Sequence, residues 1–164
     1  MQNMEEIYEQ YFETVYKYLL CLTQNSDISE ELTQETFYRA VKKIHTFRND
    51  CKISVWLCQI AKHLWFDELK KSKRIVNIDE DGLSQIEGKD KPEDFIISNS
   101  NKLGLYKQLQ KLDKQTREVM YLRITGELSF KEIADILNKT ENWARVTFYR
   151  GKQKLLKEGD GDER

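Results

Sequence analysis

The sequence predicts an all-α fold with two small helical domains, joined by a flexible acidic linker, and a helix-turn-helix in the second domain. The first 81 residues contain no glycine and no proline, which is typical of long helices rather than of a turn-rich β fold. Apolar residues recur at spacings of three and four, as on one face of a helix. A cluster of glycines, acidic residues and the single proline, Pro92, interrupts this periodicity near the middle of the chain.

Three helices are predicted in the first domain, residues 1–74. The second should begin near Asp27, because Asp27 and Glu30 have the spacing of a capping box. The third should run from about Ile53 to Lys71. Three amphipathic helices can bury one another's apolar stripes in one small core. The residues expected to face that core are Ile7, Tyr11, Val15, Tyr18, Leu19 and Leu22 in the first helix, Ile28, Leu32, Ala40, Val41 and Ile44 in the second, and Ile53, Trp56, Leu57, Ile60, Ala61 and Leu64 in the third.

Charge is arranged in blocks, although the net charge is only −1. Residues 1–35 hold eight acidic residues and one basic residue, and residues 36–76 hold ten basic and three acidic. Residues 77–98 hold seven acidic and two basic, and residues 99–158 hold thirteen basic and seven acidic. Such blocks can separate a surface for a basic protein from one for a polyanion, or be ordinary solvated helix faces.

Helical periodicity fails over residues 75–92, which are predicted to be the flexible linker. It resumes near Glu93, where the second domain, residues 93–158, is predicted to begin. The short acidic end of the chain, residues 159–164, is predicted to be a disordered tail.

The second domain carries the pattern of a helix-turn-helix. A short helix is expected to end at Gly126, and Ser129 with Glu132 has the spacing of a capping box for the next one. Asn138-Lys139-Thr140 then predicts a tight turn into a basic helix, and the small Ala134 allows the two helices to cross closely. The second helix would lie in the major groove of DNA, where arginine suits guanine and asparagine suits adenine. Its expected outward residues are Glu141, Asn142, Arg145 and Arg150, with Ala144 and Phe148 toward the core.

Several other classes of protein are disfavoured. Three cysteines without a C-x-x-C pair argue against a disulfide framework and a zinc finger, and favour a reducing compartment. The chain shows no apolar run of membrane-spanning length and no secretory signal, so we expect a cytoplasmic protein without stable membrane insertion. No nucleophile motif, phosphate-binding loop or metal-ligand spacing is present, so no catalytic residue, metal or cofactor is predicted.

Two parts of the chain resemble the extracytoplasmic-function (ECF) group of bacterial RNA polymerase sigma factors. Segments 32–37, 47–50 and 56–63 resemble their second region, and segments 117–123 and 128–134, with Gly126 between them, resemble their fourth. The resemblance implies a dissociable polymerase subunit whose two helical domains read the −10 and −35 promoter elements. It also implies three partners, namely core RNA polymerase, promoter DNA and an anti-sigma factor that holds the protein inactive.

The resemblance also assigns residues to three surfaces. The polymerase-binding surface comprises Glu31, Leu32, Gln34, Glu35 and Phe37. The surface for the melted −10 strand comprises Asn49, Asp50, Cys51, Lys52, Lys62, His63 and Phe66, a set with lysines for phosphates and an aromatic ring for bases. The −35 surface comprises Arg123, Arg145, Val146, Tyr149 and Arg150, to which the helix-turn-helix pattern adds Lys139, Glu141 and Asn142. Trp143, Val146 and Thr147 depart from the family's pattern, which leaves the promoter sequence open.

Two alternatives remain at this point. An autonomous repressor or activator could use the same helix-turn-helix, although such proteins usually dimerise to meet two half-sites. An enzyme would need a pocket that the sequence does not indicate. Co-purification with core polymerase distinguishes the first alternative from a sigma factor.

Overall fold

The structure, a computed structural model, describes the backbone of residues 3–76 and 107–162 and the side chains of residues 3–72 and 107–157. Within these ranges all regular secondary structure is helical, which confirms the all-α prediction. The chain divides into two compact units, residues 1–92 and residues 93–164. Most of the predicted linker, residues 77–92, and the helical pattern predicted between residues 93 and 106 lie outside the described residues.

In the described part of the first unit, residues 3–76, three α-helices pack each against the other two. They are α1 (Met4–Thr23), α2 (Ser26–Lys43) and α3 (Ile53–Val76), with a 3₁₀ turn, Ile44–Thr46, after α2. Most of the predicted stripes are inward, and full burial of one large apolar side chain is worth about 1.5–3 kcal/mol. The largest fully buried side chains of this unit are Ile7, Val15, Tyr18, Leu19, Leu20, Val55 and Leu57.

The turn between α1 and α2 differs from the prediction. The N-cap of α2 is Asn25, whose side chain accepts a hydrogen bond of 3.0 Å from the amide of Ile28. The predicted capping box at Asp27 is therefore wrong, and α2 begins before Asp27 rather than after it. Thr23 and Gln24 account for the shift. Gln24 ends α1 in a left-handed conformation, and the Thr23 hydroxyl bonds the backbone of Asn25, which together place Asn25 at the cap.

The buried face of α2 includes threonine side chains, which the spacing of apolar residues does not predict. Val41, predicted to face inward, is 52% exposed, whereas Thr33 and Thr36 are fully buried. Their hydroxyls donate to the carbonyls of Ser29 and Leu32, at 2.6 and 2.7 Å. A hydroxyl that finds a partner one turn back on its own helix can be buried without leaving an unsatisfied polar group.

Helix α3 supplies much of the remaining core of this unit. Val55, Cys58 and Trp65 are buried in addition to Leu57, Ala61 and Leu64 of the predicted stripe. Trp56 is half-buried and packs against Phe47, with ring centroids 5.1 Å apart. It therefore anchors the segment that precedes α3, as expected for a structural tryptophan. The helix continues to Val76, five residues beyond the predicted end.

The second unit is built around the last helix. Residues 107–110 are helical, followed by α4 (Lys114–Ile124), α5 (Phe130–Leu137) and α6 (Glu141–Asp162). Helix α6 packs against both α4 and α5. Leu109, Leu112 and Met120 form a buried cluster against which Phe148 and Leu155 of α6 pack.

The end of the chain also differs from the prediction. Residues 159–164 were expected to form a disordered tail, but α6 is helical as far as Asp162. Gly159 and Gly161 each weaken a helix by only about 1 kcal/mol relative to alanine, and residues 159–162 contain no proline. Residues 163 and 164 lie outside the described residues.

The described residues hold neither a candidate membrane span nor a candidate metal site. None of their helices is long and apolar enough to cross a membrane. Among the same residues, no cluster of three or more histidine, cysteine, aspartate or glutamate side chains is arranged to hold a metal ion. Cys21, Cys51 and Cys58 form no disulfide with one another, and Cys21 and Cys58 are buried.

Candidate nucleic-acid interface

A tight reversal of the chain joins α4 to α5. The amide of Gly126 bonds the carbonyl of Tyr121, and the amide of Leu128 bonds that of Leu122, both at 3.1 Å. A Cβ atom at Gly126 would lie 2.7 Å from the Leu122 carbonyl oxygen, so this position requires glycine. The helix itself ends at Ile124, two residues before the predicted end at Gly126.

The predicted capping box at the start of α5 is confirmed. The Ser129 hydroxyl accepts from the Glu132 amide at 3.1 Å, and the Glu132 carboxylate accepts from the Ser129 amide at 2.9 Å. These reciprocal bonds satisfy two of the amides that a helix start leaves unpaired. The predicted apolar residues of this helix are all buried: Ile133, Ala134, Ile136 and Leu137.

The turn between α5 and α6 also has the predicted chemistry. Asn138 adopts the left-handed conformation at φ 55°, and the amide of Lys139 bonds the carbonyl of Ala134 at 3.0 Å. The Thr140 hydroxyl then accepts from the amide of Trp143 at 3.1 Å, which caps the start of α6. Ala144 is fully buried. Helices α5 and α6 and their turn therefore have the connectivity and packing of a helix-turn-helix.

The outer face of this motif carries the predicted −35 residues. Seven of them are exposed, whereas Arg123 is half-buried at the end of α4. Two of the seven, Val146 and Tyr149, are apolar or aromatic side chains that are 38% and 52% exposed. The exposed set is Lys139, Glu141, Asn142, Arg145, Val146, Tyr149 and Arg150.

Two of the arginines meet at one aromatic ring. The guanidinium carbon of Arg123 lies 4.2 Å from the ring centroid of Phe130, and that of Arg145 lies 5.5 Å from the same centroid. Arg123 also donates to the Leu128 carbonyl at 3.0 Å, and Arg145 pairs with Glu141 at 3.2 Å. Sequence reasoning missed Phe130. The available signal was an aromatic residue at the first helical position after a capping serine.

The predicted −10 residues lie in the first unit, in the loop before α3 and on α3 itself. Asn49, Asp50 and Lys52 are exposed, and Cys51 is half-buried. Asn49 has a positive φ of 60°, which turns the loop sharply. On α3 the exposed pair is His63 and Phe66, and the half-buried Lys62 places its ammonium group 5.3 Å from the Phe66 ring centroid. A cation and an exposed ring therefore lie together on α3.

The predicted polymerase-binding residues of α2 separate into two groups. Glu31 and Gln34 are exposed, and the half-exposed Glu35 pairs with Arg39 at 3.3 Å. Leu32 and Phe37 are only 7% and 4% exposed, because they point into the core. Their assignment as contact residues is corrected accordingly, and they support the surface from below. The outer face forms a shallow groove lined by Asp27, Glu30, Glu31, Gln34, Glu35 and Tyr38.

Comparison with known proteins matches each unit to a family. Residues 7–75 match Sigma-70 region 2, and residues 102–155 match Sigma-70 region 4. The chain is 30% identical over 157 residues to the ECF RNA polymerase sigma factor SigM of Bacillus subtilis, a match that covers 93% of each chain. It is also 30% identical to the RNA polymerase sigma factor YlaC of the same organism, over 94% of this chain and 91% of that one.

The chain belongs to the ECF group of RNA polymerase sigma factors. It is therefore an initiation factor that directs core RNA polymerase to promoters, as the sequence resemblance implied. In this sigma factor the region 2 match spans α1 to α3, and the region 4 match spans α4 to α6.

Solved structures agree with this sigma factor in fold. One is the sigma factor RpoE of Bartonella quintana in complex with the anti-sigma factor NepR, with a TM-score of 0.77, 19% identity and coverage of 93% of this chain and 94% of that one. Another is CnrH in complex with the cytosolic domain of CnrY, with a TM-score of 0.63, 18% identity and coverage of 97% and 88%.

Proposed function

We propose that this sigma factor reads the −35 duplex with the outer face of α6. The observation that carries the proposal is the capped pair α5 and α6, in which Ala144 is buried while Asn142, Arg145 and Arg150 are exposed on the same helix. A helix held in this way can enter a major groove, where paired donors on arginine match guanine and those of asparagine match adenine. Lys139, Glu141, Val146, Tyr149 and Arg123 complete the proposed surface.

The first unit is proposed to hold the separated −10 strand. The loop residues Asn49 to Lys52 and the α3 residues Lys62, His63 and Phe66 would form this surface. A separated strand exposes phosphates and base faces, and a lysine beside an exposed phenylalanine offers a partner to each. Because extruding a base costs a few kcal/mol of stacking, a surface that is already formed favours melting.

The outer face of α2 is proposed to dock on core RNA polymerase through Glu31, Gln34 and Glu35. Four carboxylates line the groove on this face, and they suit a basic protein surface. Leu32 and Phe37 would hold this helix in place from the core side rather than touch the polymerase.

An anti-sigma factor is the proposed inhibitor. Two structures that share this fold, those of RpoE and CnrH, were solved with NepR and with the cytosolic domain of CnrY. We further infer that the chain acts by binding, without a catalytic step of its own, and that it works in the cytoplasm with the polymerase.

Arg145→Ala tests the −35 proposal. The variant is expected to lose about 1–3 kcal/mol of discrimination between the promoter and unrelated DNA, the value of one bidentate base contact. The promoter is first identified by run-off transcription from genomic fragments with core polymerase. The affinity of the reconstituted holoenzyme is then measured on that promoter duplex and on a scrambled duplex.

Lys157→Ala is the matched control, because Lys157 is exposed on the same helix, about 18 Å further along its axis. It should leave discrimination unchanged. An equal loss on both duplexes for Arg145→Ala would make that residue a phosphate contact. Tight binding of a palindrome by the pure chain, with no transcript from any holoenzyme, would instead favour an autonomous regulator.

A further inference from the structure

We infer that Phe130 is a positioning residue that orients both Arg123 and Arg145 for the promoter duplex. The two arginines come from different helices, α4 and α6, yet both guanidinium groups lie over this one ring of α5, at 4.2 and 5.5 Å from its centroid. The inference rests on the proposed −35 surface and deepens it, because it names a residue that acts on DNA through two others.

The ring itself is held from two sides. Phe130 is the first residue of α5, and the reciprocal bonds between Ser129 and Glu132 fix the backbone on either side of it. The ring also packs against Phe148 and Tyr149, with centroids 5.6 and 6.3 Å away. Phe148 in turn packs against the buried cluster of this unit. The ring is therefore a fixed platform and not a mobile surface side chain.

Each arginine has a second restraint besides the ring. Arg123 donates to the Leu128 carbonyl at 3.0 Å, which ties the end of α4 to the residue before the α5 cap. Arg145 pairs with the Glu141 carboxylate at 3.2 Å, one turn earlier on α6. A ring contact and a hydrogen bond together restrict the position of each guanidinium group more than either contact alone.

This arrangement favours binding in two ways. The negative face of the ring attracts each cation, which offsets part of the repulsion between two like charges held close together. Stacking uses the face of a guanidinium and leaves edge donors for phosphate or base acceptors. Because the side chains are already ordered, less rotamer freedom is lost when DNA binds.

The test replaces Phe130 by leucine, which removes the ring, and by tyrosine, which keeps it. Holoenzyme containing Phe130→Leu is expected to bind the identified promoter duplex about threefold to tenfold more weakly, as expected when two exposed cation–π contacts are lost in part. Holoenzyme containing Phe130→Tyr should bind as the parent does. Equal affinities for the leucine variant and the parent would overturn the inference.

A spectroscopic readout separates positioning from simple loss of stability. In the 164-residue chain without DNA, the side-chain proton resonances of Arg123 and Arg145 should carry the ring-current shift of Phe130. That shift should vanish in Phe130→Leu and persist in Phe130→Tyr. Random-coil shifts for both arginines in the parent chain would overturn the inference even if the leucine variant failed to fold.

The arginine variants distinguish this inference from the proposed function. If Arg123→Ala and Arg145→Ala weaken binding while Phe130→Leu does not, the −35 surface stands and positioning by Phe130 is wrong. If neither arginine variant changes affinity, the −35 proposal itself fails. In the chain with both arginines replaced by alanine, Phe130→Leu should have no further effect on affinity. A full additional loss there would show that the ring acts independently of them.

Discussion

Single polar side chains determine where the helices of this sigma factor begin. Asn3, Asn25, Asp113, Ser129 and Thr140 each accept a hydrogen bond from an amide three residues further along the chain. Each cap of this kind is worth about 1 kcal/mol. The sequence alone identified the Ser129 cap but placed the α2 cap at Asp27, because several polar residues stand in a row there and only the tertiary turn selects among them.

Asp113 gives a pH dependence that belongs to one residue. Hydrogen bonds from Thr116, at its side chain and its backbone, hold the pKa of the Asp113 carboxyl below its ordinary value, against the opposite effect of partial burial. A carboxyl whose pKa is lowered by folding stabilises the fold above its unfolded pKa, and this contribution is lost as the pH falls through the lower folded pKa. The stability that Asp113 gives to α4 should therefore decline below about pH 4.

Asp113→Asn checks this expectation, since asparagine also caps a helix but does not titrate. Hydrogen exchange at the amides of α4 is compared at neutral pH and at about pH 3, a step that crosses the ordinary pKa of aspartate. The parent chain should lose more protection at α4 than the asparagine variant. Equal losses in the two proteins would contradict a role for the Asp113 charge.

At the scale of helices, the pattern of apolar residues predicted where the helices lie, but it did not predict every buried residue. The buried set of α5 follows its apolar spacing completely. The inward face of α2 does not, because Thr33 and Thr36 bury hydroxyls that bond their own helix, and Val41 lies outside. Periodicity counts side-chain types, and it cannot register a polar group that is satisfied locally.

Gly151 is a second case that periodicity misses. A glycine inside a helix usually weakens it, yet a Cβ atom at Gly151 of α6 would lie 2.8 Å from the Thr116 Cγ2 atom and 2.9 Å from the Met120 Sδ atom. The absence of a side chain is what lets α6 approach α4. No feature of the local sequence distinguishes this glycine from a helix-weakening one, since the contacts come from a distant segment.

Gly151→Ala should therefore lower the stability of the second unit by about 1 kcal/mol, because the cost of overpacking exceeds the gain in helix propensity. Thermal unfolding or hydrogen exchange in α4 and α6 measures the change. Adding Thr116→Ser removes the nearest methyl group and keeps the backbone amide that Asp113 caps, so part of the loss should return. If Gly151→Ala alone raised the stability, α4 and α6 would be able to move apart at little cost in free energy.

At the scale of the whole molecule, the alternating blocks of charge correspond to surfaces of opposite character in the two units. The groove on α2 is lined by carboxylates, whereas the exposed face of α6 carries Arg145 and Arg150. The sequence predicted both surfaces because charge lies outside the core and is read directly. Apolar spacing placed Leu32 in the core, whereas the resemblance assigned both Leu32 and Phe37 to the contact surface, because motif resemblance does not separate contact residues from supporting ones.

A pair of charge variants should separate the two proposed tasks. Glu31→Lys with Glu35→Lys should weaken binding to core polymerase several-fold, because like charges then face a basic partner. The same change should leave the ring-current shifts of Arg123 and Arg145 unaltered, since these belong to the other unit. Arg145→Ala should weaken binding to the promoter duplex. It should leave the affinity for core polymerase in the absence of DNA unchanged.

Combining the two sets of changes gives a further check. Because the two sets of changes lie in separate units, their free energies should be additive within about 0.5 kcal/mol. Formation of the holoenzyme–promoter complex, measured for the parent, each variant and the combination, supplies the comparison. A large departure from additivity would mean that the two surfaces act on one another during assembly.

The hydrogen bond from Arg123 to the Leu128 carbonyl affects the design of chimeras between sigma factors. In the proposed −35 surface, this bond makes the end of α4 part of the DNA-binding region, although α4 is not the proposed recognition helix. A chimera that received residues 141–150 alone would carry the residues of the proposed recognition helix without the hydrogen bond from Arg123 to Leu128. We therefore expect that promoter preference is transferred to another sigma factor only when residues 123–150 are exchanged together.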